Sequence, residues 1–270
     1  MAITFHLKWP PAVPLEAEVL SPDKLAELSN EEIRSLIVYH GKRQLPLGEF
    51  FDIEGERSED LVLHGELHKV RWIGRAMSKG SITIHGTAGM HLGAYMAGGR
   101  IEVHGHATDW IGAEMKNGFI HVHGNAGGQV GAAYRGSLLG MRDGLIIIDG
   151  FAGLEVGMRM KGGLIVIGGP AKDFTGLQMK GGTIVLRSGA EIRTGAWMNR
   201  GTIVSLKPLT MMPTFDLKED RDPTCLGECA GKVKEYGIDL PHTAADGTFR
   251  HYAGDTAVSD KGEILVWQPG

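Results

Sequence analysis

From residue 74 onward the apolar positions come in pairs spaced by two: Ile82/Ile84, Ile101/Val103, Ile120/Val122, Ile146/Ile148, Ile165/Ile167 and Ile184/Leu186. Each pair is mostly β-branched, the mark of a short strand with one buried face. Helical periodicity is missing from this stretch. The pairs recur every nineteen residues, with seven extra residues inserted once, and so do the residues around them. Gly74, Gly93, Gly112, Gly131, Gly157, Gly176 and Gly195 align. Three residues after each, or ten after Gly131 because the insertion intervenes, stand Met77, Met96, Met115, Met141, Met160, Met179 and Met198, and three beyond those Gly80, Gly99, Gly118, Gly144, Gly163, Gly182 and Gly201. The unit reads G-x-x-M-x-x-G-x-I-x-V-x-G, and a repeat of this period decides the architecture before any other signal.

One such unit is too small to bury its own apolar face. Stacking units at the strand spacing of about 4.8 Å would pair the backbone and build an inward apolar column. The expected fold is an all-β solenoid, a parallel β-helix of about seven or more 19-residue coils. Glycines would turn the corners and methionines would fill one vertex. Residues 1–47 read as a helical cap, with Ser21 before Pro22 and Ser29 or Asn30 before Ile33, Leu36 and Ile37. Residues 48–206 form the glycine-rich coils, of which GEFFDIEG and LVLHGEL are degenerate first members. Residues 207–270 are an irregular C-terminal extension that packs on the solenoid and ends in a hairpin or a strand laid along it.

With the apolar pairs inward, the alternating residues point outward. In early coils these are Thr83 and His85, Glu102 and His104, His121 and His123; then come Leu145, Ile147 and Asp149, and Leu164 and Val166. An outward apolar patch needs cover from the chain's own ends or from another subunit. Leu145, Ile147, Leu164 and Val166 are thus candidate interface residues, together with Tyr134 and Arg135 of the insertion YRGSLLG.

A row of cations follows the methionines: Lys116, Arg142, Lys161 and Lys180, with Arg200 one place late. Cations stacked about 5 Å apart repel by about 0.8 kcal/mol per pair even at the dielectric of water. The row is either a docking stripe for a carboxylate-rich partner or ligand, or a set of solvated side chains paired with acids such as Glu219, Asp220 and Asp222. His85, His104, His123 and Asp149 also share one place in successive coils. Zinc needs its ligands about 2.0–2.1 Å from a common centre, which parallel stacked side chains reach only by leaving their rotamers. Neither H-E-x-x-H nor a thiolate pair supports a metal. The expectation is a ladder of stacked imidazoles and no metal.

The chain has 270 residues, a net charge of −4 and 41 glycines, about twice the usual share of roughly 7%. Lysines and arginines are dispersed, so nucleic acid is not an expected partner. Nothing approaches a membrane span or a secretory signal, which predicts a cytoplasmic protein with no membrane contact. Cys225 and Cys229 are too few for a four-thiolate cluster and read as ordinary thiols. No nucleophile elbow, phosphate loop or acid–base pair stands out.

Taken with the coils from Gly74 to Gly201, the segments GEFFDIEG and RHYAGDTAVSDKGEILV resemble the C subunit of formylmethanofuran dehydrogenase over nearly the whole chain. The coils are also similar to the glycine-repeat domain of glutamate synthase. The resemblance implies a right-handed β-helix and a non-catalytic scaffold in a multi-subunit one-carbon enzyme. In methanogens that enzyme interconverts carbon dioxide and formylmethanofuran on a molybdo- or tungstopterin subunit. A related bacterial formyltransferase/hydrolase complex moves a formyl group from tetrahydromethanopterin to a methanofuran analogue and hydrolyses it to formate. Modest charge content without a lysine/glutamate excess favours the bacterial complex. The resemblance further implies that metal and cofactor ligands lie in partner subunits, so no catalytic residue is expected here. It also implies that the row Lys116, Arg142, Lys161 and Lys180 could meet the glutamyl tail of a methanofuran analogue. The alternatives are the C subunit of a dehydrogenase, a stand-alone metal enzyme at the histidine ladder, and a channel-lining domain of the glutamate synthase kind.

Overall fold

A computed structural model describes residues 2–241 and 247–270. Its strands are β1 (Ile3–Leu7), β2 (Leu15–Glu16), β3 (Ile37–His40), β4 (Arg43–Pro46), β5 (Phe51–Glu54), β6 (Asp60–His64) and β7 (Val70–Arg71). In the repeats follow β8 (Ser81–His85), β9 (Arg100–Val103), β10 (Phe119–Val122), β11 (Leu145–Ile148), β12 (Leu164–Ile167), β13 (Lys180–Leu186) and β14 (Arg200–Ser205). The C-terminal segment adds β15 (Asp216–Leu217), β16 (Gly247–Gly254) and β17 (Gly262–Pro269). Helices are few and short: α1 (Pro22–Leu25), α2 (Asn30–Ser35) and α3 (Gly227–Lys234). Among the described residues no helix is long and apolar enough to cross a membrane. Ser29 starts α2 with a capping box, its side chain accepting from the Glu32 N–H while Glu32 accepts from the Ser29 N–H.

The expected right-handed parallel β-helix is corrected by the strand topology. Among the described residues, β15-β16-β17-β14-β13-β12-β11-β10-β9-β8-β6-β1-β5 form one mixed 13-stranded sheet, with a separate 4-stranded sheet β4-β3-β2-β7. The inner strands run parallel, whereas β1/β5 and β16/β17 pair antiparallel at the two ends. The reason lies in the unit. Each repeat supplies one regular strand, and the remainder is turn, tied to its neighbours by single bridges such as Ala88↔Ala107↔Ala126 and Ala152↔Ala171↔Ala190. These turns hold residues on either side of the first glycine in the left-handed region, for example Trp110, Gly112 and Glu114 at φ 65, 59 and 53. No second or third ladder of regular strands arises from them.

The register carries the nineteen-residue offset directly, with Ile82↔Ile101 and Ile101↔Ile120, and absorbs the insertion at Ile120↔Ile146. The inward pairs and all seven repeat methionines are buried. Each fully buried isoleucine or valine contributes roughly 1.5–3 kcal/mol relative to exposure. A Cβ on Gly93 would stand 2.6 Å from Ile120 Cδ1, so this glycine lets an isoleucine of a later unit close against the turn.

On the sheet's outer face, Ile147, Val166, Val185 and Val204 form a second apolar cluster with Leu226, Val233, Ile238, Leu240 and Phe249. The C-terminal segment thus covers the outward apolar patch. Leu226 and Val233, from the region of α3, enter it beside Phe249 of β16, while Tyr236 stacks on Phe119 with ring centroids 4.5 Å apart.

Candidate functional site

The boundary between the polar and the covered part of the outer face runs through β10, whose Phe119 lies under Tyr236 while His121 and the following His123 face the polar part. Successive histidines stack across the polar part. Ring centroids are 4.7 Å apart for His6–His64, 4.8 Å for His64–His85, 5.0 Å for His85–His104 and 4.8 Å for His104–His123, with planes within 15° of parallel. The in-register parallel strands dictate this, because equal positions in adjacent strands place equal side chains side by side. His6 joins because β1 inserts parallel to β6 with His6 opposite His64. Partial burial, and then the neighbouring imidazoles, hold His64 below the usual histidine range. His104 is lowered by burial first and then by His123.

At the last rung the ladder meets carboxylates. His123 Nε2 lies 2.9 Å from Glu102 Oε1, and His123 Nδ1 lies 3.1 Å from Asp149 Oδ2. His121 Nε2 is 3.0 Å from both Asp149 oxygens. The hydrogen bond from His123 lowers the Glu102 carboxyl, with partial burial opposing and Arg100 assisting. Two groups bring three ligand-type atoms within 4.8 Å of one another: Glu102, His104 and His123, and His121, His123 and Asp149. His85 belongs to neither, since its ring lies flat between His64 and His104.

A second constellation lies on the turn side. Trp72, His91 and Trp110 occupy one place in successive repeats, and Trp72 stacks on His91 at 4.0 Å. Tyr134, from the insertion, folds back over them, stacking on Trp110 at 4.8 Å and sharing a hydrogen bond of 2.8 Å with His91 Nδ1. Burial, with the Arg71 charge adding and Asp109 opposing, lowers His91 to about 4. The Tyr134 phenol is driven upward by burial and then by Tyr95 and Glu114. Tyr134 is thus held within the chain, whereas Arg135 beside it is exposed.

The cations keep equal places. The N–H groups of Lys116, Arg142, Lys161 and Lys180 donate to the carbonyls of Met96, Met115, Met141 and Met160 at 2.7–2.8 Å. Lys116, Arg142 and Lys161 are exposed and make no ion pair among the described residues. Lys180 instead donates to the Leu138 carbonyl of the insertion at 2.8 Å. Of the four residues singled out as an apolar interface, Ile147, Leu164 and Val166 are buried under the C-terminal segment and Leu145 is half-buried. That surface is taken up by the chain itself, because α3 and β16 supply the apolar complement. Beside it lies a groove of about 340 Å³ lined by Asp143, Arg221, Cys225, Cys229 and Glu263. Burial raises both thiols, Cys229 to about 11, which makes them poor nucleophiles at neutral pH.

Comparison with known proteins bears on this arrangement. The GXGXG motif family matches residues 56–212, more than half of the chain. The C subunit of the molybdenum-containing formylmethanofuran dehydrogenase 1 of Methanothermobacter marburgensis is 46% identical over 83 residues, 30% of this chain and 21% of its own length. The C subunit of the tungsten-containing formylmethanofuran dehydrogenase 2 of Methanothermobacter thermautotrophicus is 39% identical over 89 residues, 31% of this chain and 33% of its own length. A chain in the X-ray crystal structure of the formyltransferase/hydrolase complex (FhcABCD) from Methylorubrum extorquens in complex with methylofuran is similar from end to end. It has a TM-score of 0.89, 31% identity and 99% coverage of both chains. This chain belongs to the family of formylmethanofuran dehydrogenase C subunits. Its match to the methanogen C subunits spans a fifth to a third of their length.

The sequence pattern missed His6 and His64 as rungs, because neither obeys the nineteen-residue offset. It also missed the aromatic column, although Trp72, His91 and Trp110 do obey it. The offset could have revealed that column. The capture of Tyr134 depends on a loop path that no period encodes.

Proposed function

We propose that this chain is a non-catalytic subunit of a multi-subunit formyltransferase/hydrolase complex. That complex moves a formyl group from tetrahydromethanopterin to a methanofuran analogue and hydrolyses it to formate, with the catalytic metal in a partner subunit. The observation that carries this reading is the end-to-end similarity to a chain of the FhcABCD complex, at 31% identity over 99% of both chains.

Lys116, Arg142 and Lys161 form an exposed cationic stripe at equal places in successive repeats. Such a stripe suits a carboxylate-rich surface of a neighbouring subunit or the glutamyl tail of the formyl carrier. Arg135 and the strongly exposed Leu138 of the insertion extend the contact. Replacing these residues tests the stripe separately from the fold.

The names of the methanogen relatives favour a second reading, the C subunit of a molybdenum or tungsten formylmethanofuran dehydrogenase. Affinity purification from the native organism, followed by mass spectrometry and by pterin and iron analysis, separates the two. Co-purification of further subunits with formyl transfer from tetrahydromethanopterin and no molybdo- or tungstopterin supports the hydrolase complex. Molybdo- or tungstopterin with iron supports the dehydrogenase, and recovery of the chain alone defeats both.

A further inference from the structure

We propose that His121, His123 and Asp149 bind a divalent transition-metal ion, with zinc as the best chemical match, at the boundary between the polar ladder and the covered apolar face. His121 and His123 stand at i and i+2 at the end of β10, which puts both imidazoles on one face of the sheet. In the register Val122↔Ile148, the residue after each strand end is His123 on one side and Asp149 on the other. The donor atoms are therefore supplied by adjacent backbones already fixed by the sheet, not by flexible loops. His121 is 9% exposed, so one ligand is anchored in the protein while His123 and Asp149 leave a side open to a further ligand.

The hydrogen-bond inventory leaves room for a cation. A neutral imidazole has one N–H, yet both nitrogens of His123 face carboxylates, Glu102 at 2.9 Å and Asp149 at 3.1 Å. If Nε2–H donates to Glu102, the Nδ1 lone pair is aimed at an anionic oxygen. A metal ion on the Nδ1 side resolves that conflict: it accepts the lone pairs of His123 Nδ1 and His121 Nε2 and is neutralised in part by Asp149. Glu102 then plays the part of the outer carboxylate that orients a ligating histidine. The distances allow it. Ligand atoms around tetrahedral zinc at about 2.0–2.1 Å lie about 3.4 Å from each other, and the contacts to Asp149 are 3.0 and 3.1 Å. Sub-ångström movements would open the centre. Two imidazoles and one carboxylate are borderline ligands that suit zinc, cobalt or nickel better than calcium or magnesium.

This set differs from the stacked row in one decisive residue. His85 shares its place with His123 by repeat, but its ring is stacked on both sides and lies in neither ligand group. His121 sits off the row and completes the triad.

The full-length chain, stripped with chelator, is titrated with cobalt(II) by visible absorption and with zinc(II) by calorimetry. One ion per chain is expected, with tetrahedral or five-coordinate cobalt bands. Asp149→Asn and His121→Gln are each expected to weaken binding at least about tenfold, and Glu102→Gln about tenfold, whereas His85→Gln leaves it unchanged. Asp149 is exposed, so its variant tests the site even if the His121 variant fails to fold. Absence of saturable binding, or equal affinity in the Asp149→Asn and unsubstituted chains, overturns the proposal. So does a loss in His85→Gln as large as that in Asp149→Asn.

Discussion

The methyl group of Met96 rests against the α-carbon of Gly118, where a Cβ on that glycine would stand 2.8 Å from Met96 Cε. The same contact recurs between Met77 and Gly99 at 2.5 Å and between Met115 and Gly144 at 2.8 Å. The methionine of one repeat thus fills the space left by the second glycine of the next. Gly118 also has φ 109, a conformation that side chains disfavour. Gly118→Ala should destabilise the chain by roughly 2–4 kcal/mol, from overpacking and backbone strain together. Met96→Ala should cost roughly 2–5 kcal/mol through its cavity. Denaturant unfolding of both single variants and the double variant checks the pairing: the double should cost less than the sum, since the shorter residue 96 makes room for the new methyl.

His91 and Tyr134 predict a stability that depends on acid. The folded chain keeps His91 neutral down to about pH 4, whereas its ordinary value is 6.5. The unfolded chain therefore takes up the proton first as pH falls. Above 6.5 this group contributes no slope; between 6.5 and about 4 stability declines, and below that the contribution is flat. The loss is at most about 3 kcal/mol, reduced by solvent screening at a partly exposed ring. Urea unfolding at neutral pH and near pH 4.5 should reveal it, and His91→Gln should shrink the difference between the two conditions.

Val233 on α3 is buried against Ile147, Val166 and Phe249. Val233→Asp would place a carboxylate in that apolar seam without a partner, which lifts the C-terminal segment from the sheet. Limited proteolysis should then cut within 207–240 far faster than in the unsubstituted chain. The protein should also self-associate through the uncovered Ile147, Val166, Val185 and Val204. A cleavage pattern unchanged by Val233→Asp would contradict the account of this face.

Lys116, Arg142 and Lys161 are exposed and make no ion pair among the described residues. Charge reversal at all three should leave the melting temperature of the isolated chain nearly unchanged, within about 0.5 kcal/mol per site. It should weaken assembly with partner subunits or raise KM for the tailed formyl carrier. Size-exclusion chromatography of the reconstituted complex and steady-state kinetics report the two effects separately. No change in either removes the stripe from the functional account.

Much of the molecule could be read from its period. The inward pairs, the glycine turns and the methionine row are local rules repeated at one offset, and stacking repeats at strand spacing makes equal positions neighbours. The histidine ladder follows from the same rule, since His85, His104 and His123 share one position. The expected β-helix did not follow, because the period specifies where strands recur but not how much of each turn joins a ladder. Here one strand per repeat does, and alanine bridges hold the remainder.

The order and offset of the repeats, the identity of the buried column and the run of outward apolar residues from Leu145 were determined by the sequence alone, because each depends on residues within one or two units of each other. Tertiary structure alone decided two things. β1 enters the sheet and adds His6 to the ladder, and α3 and β16 cover the outer apolar face. Each of these is a contact between segments related by no period, settled only when the folded sheet offers an open edge or an unburied apolar face to be satisfied.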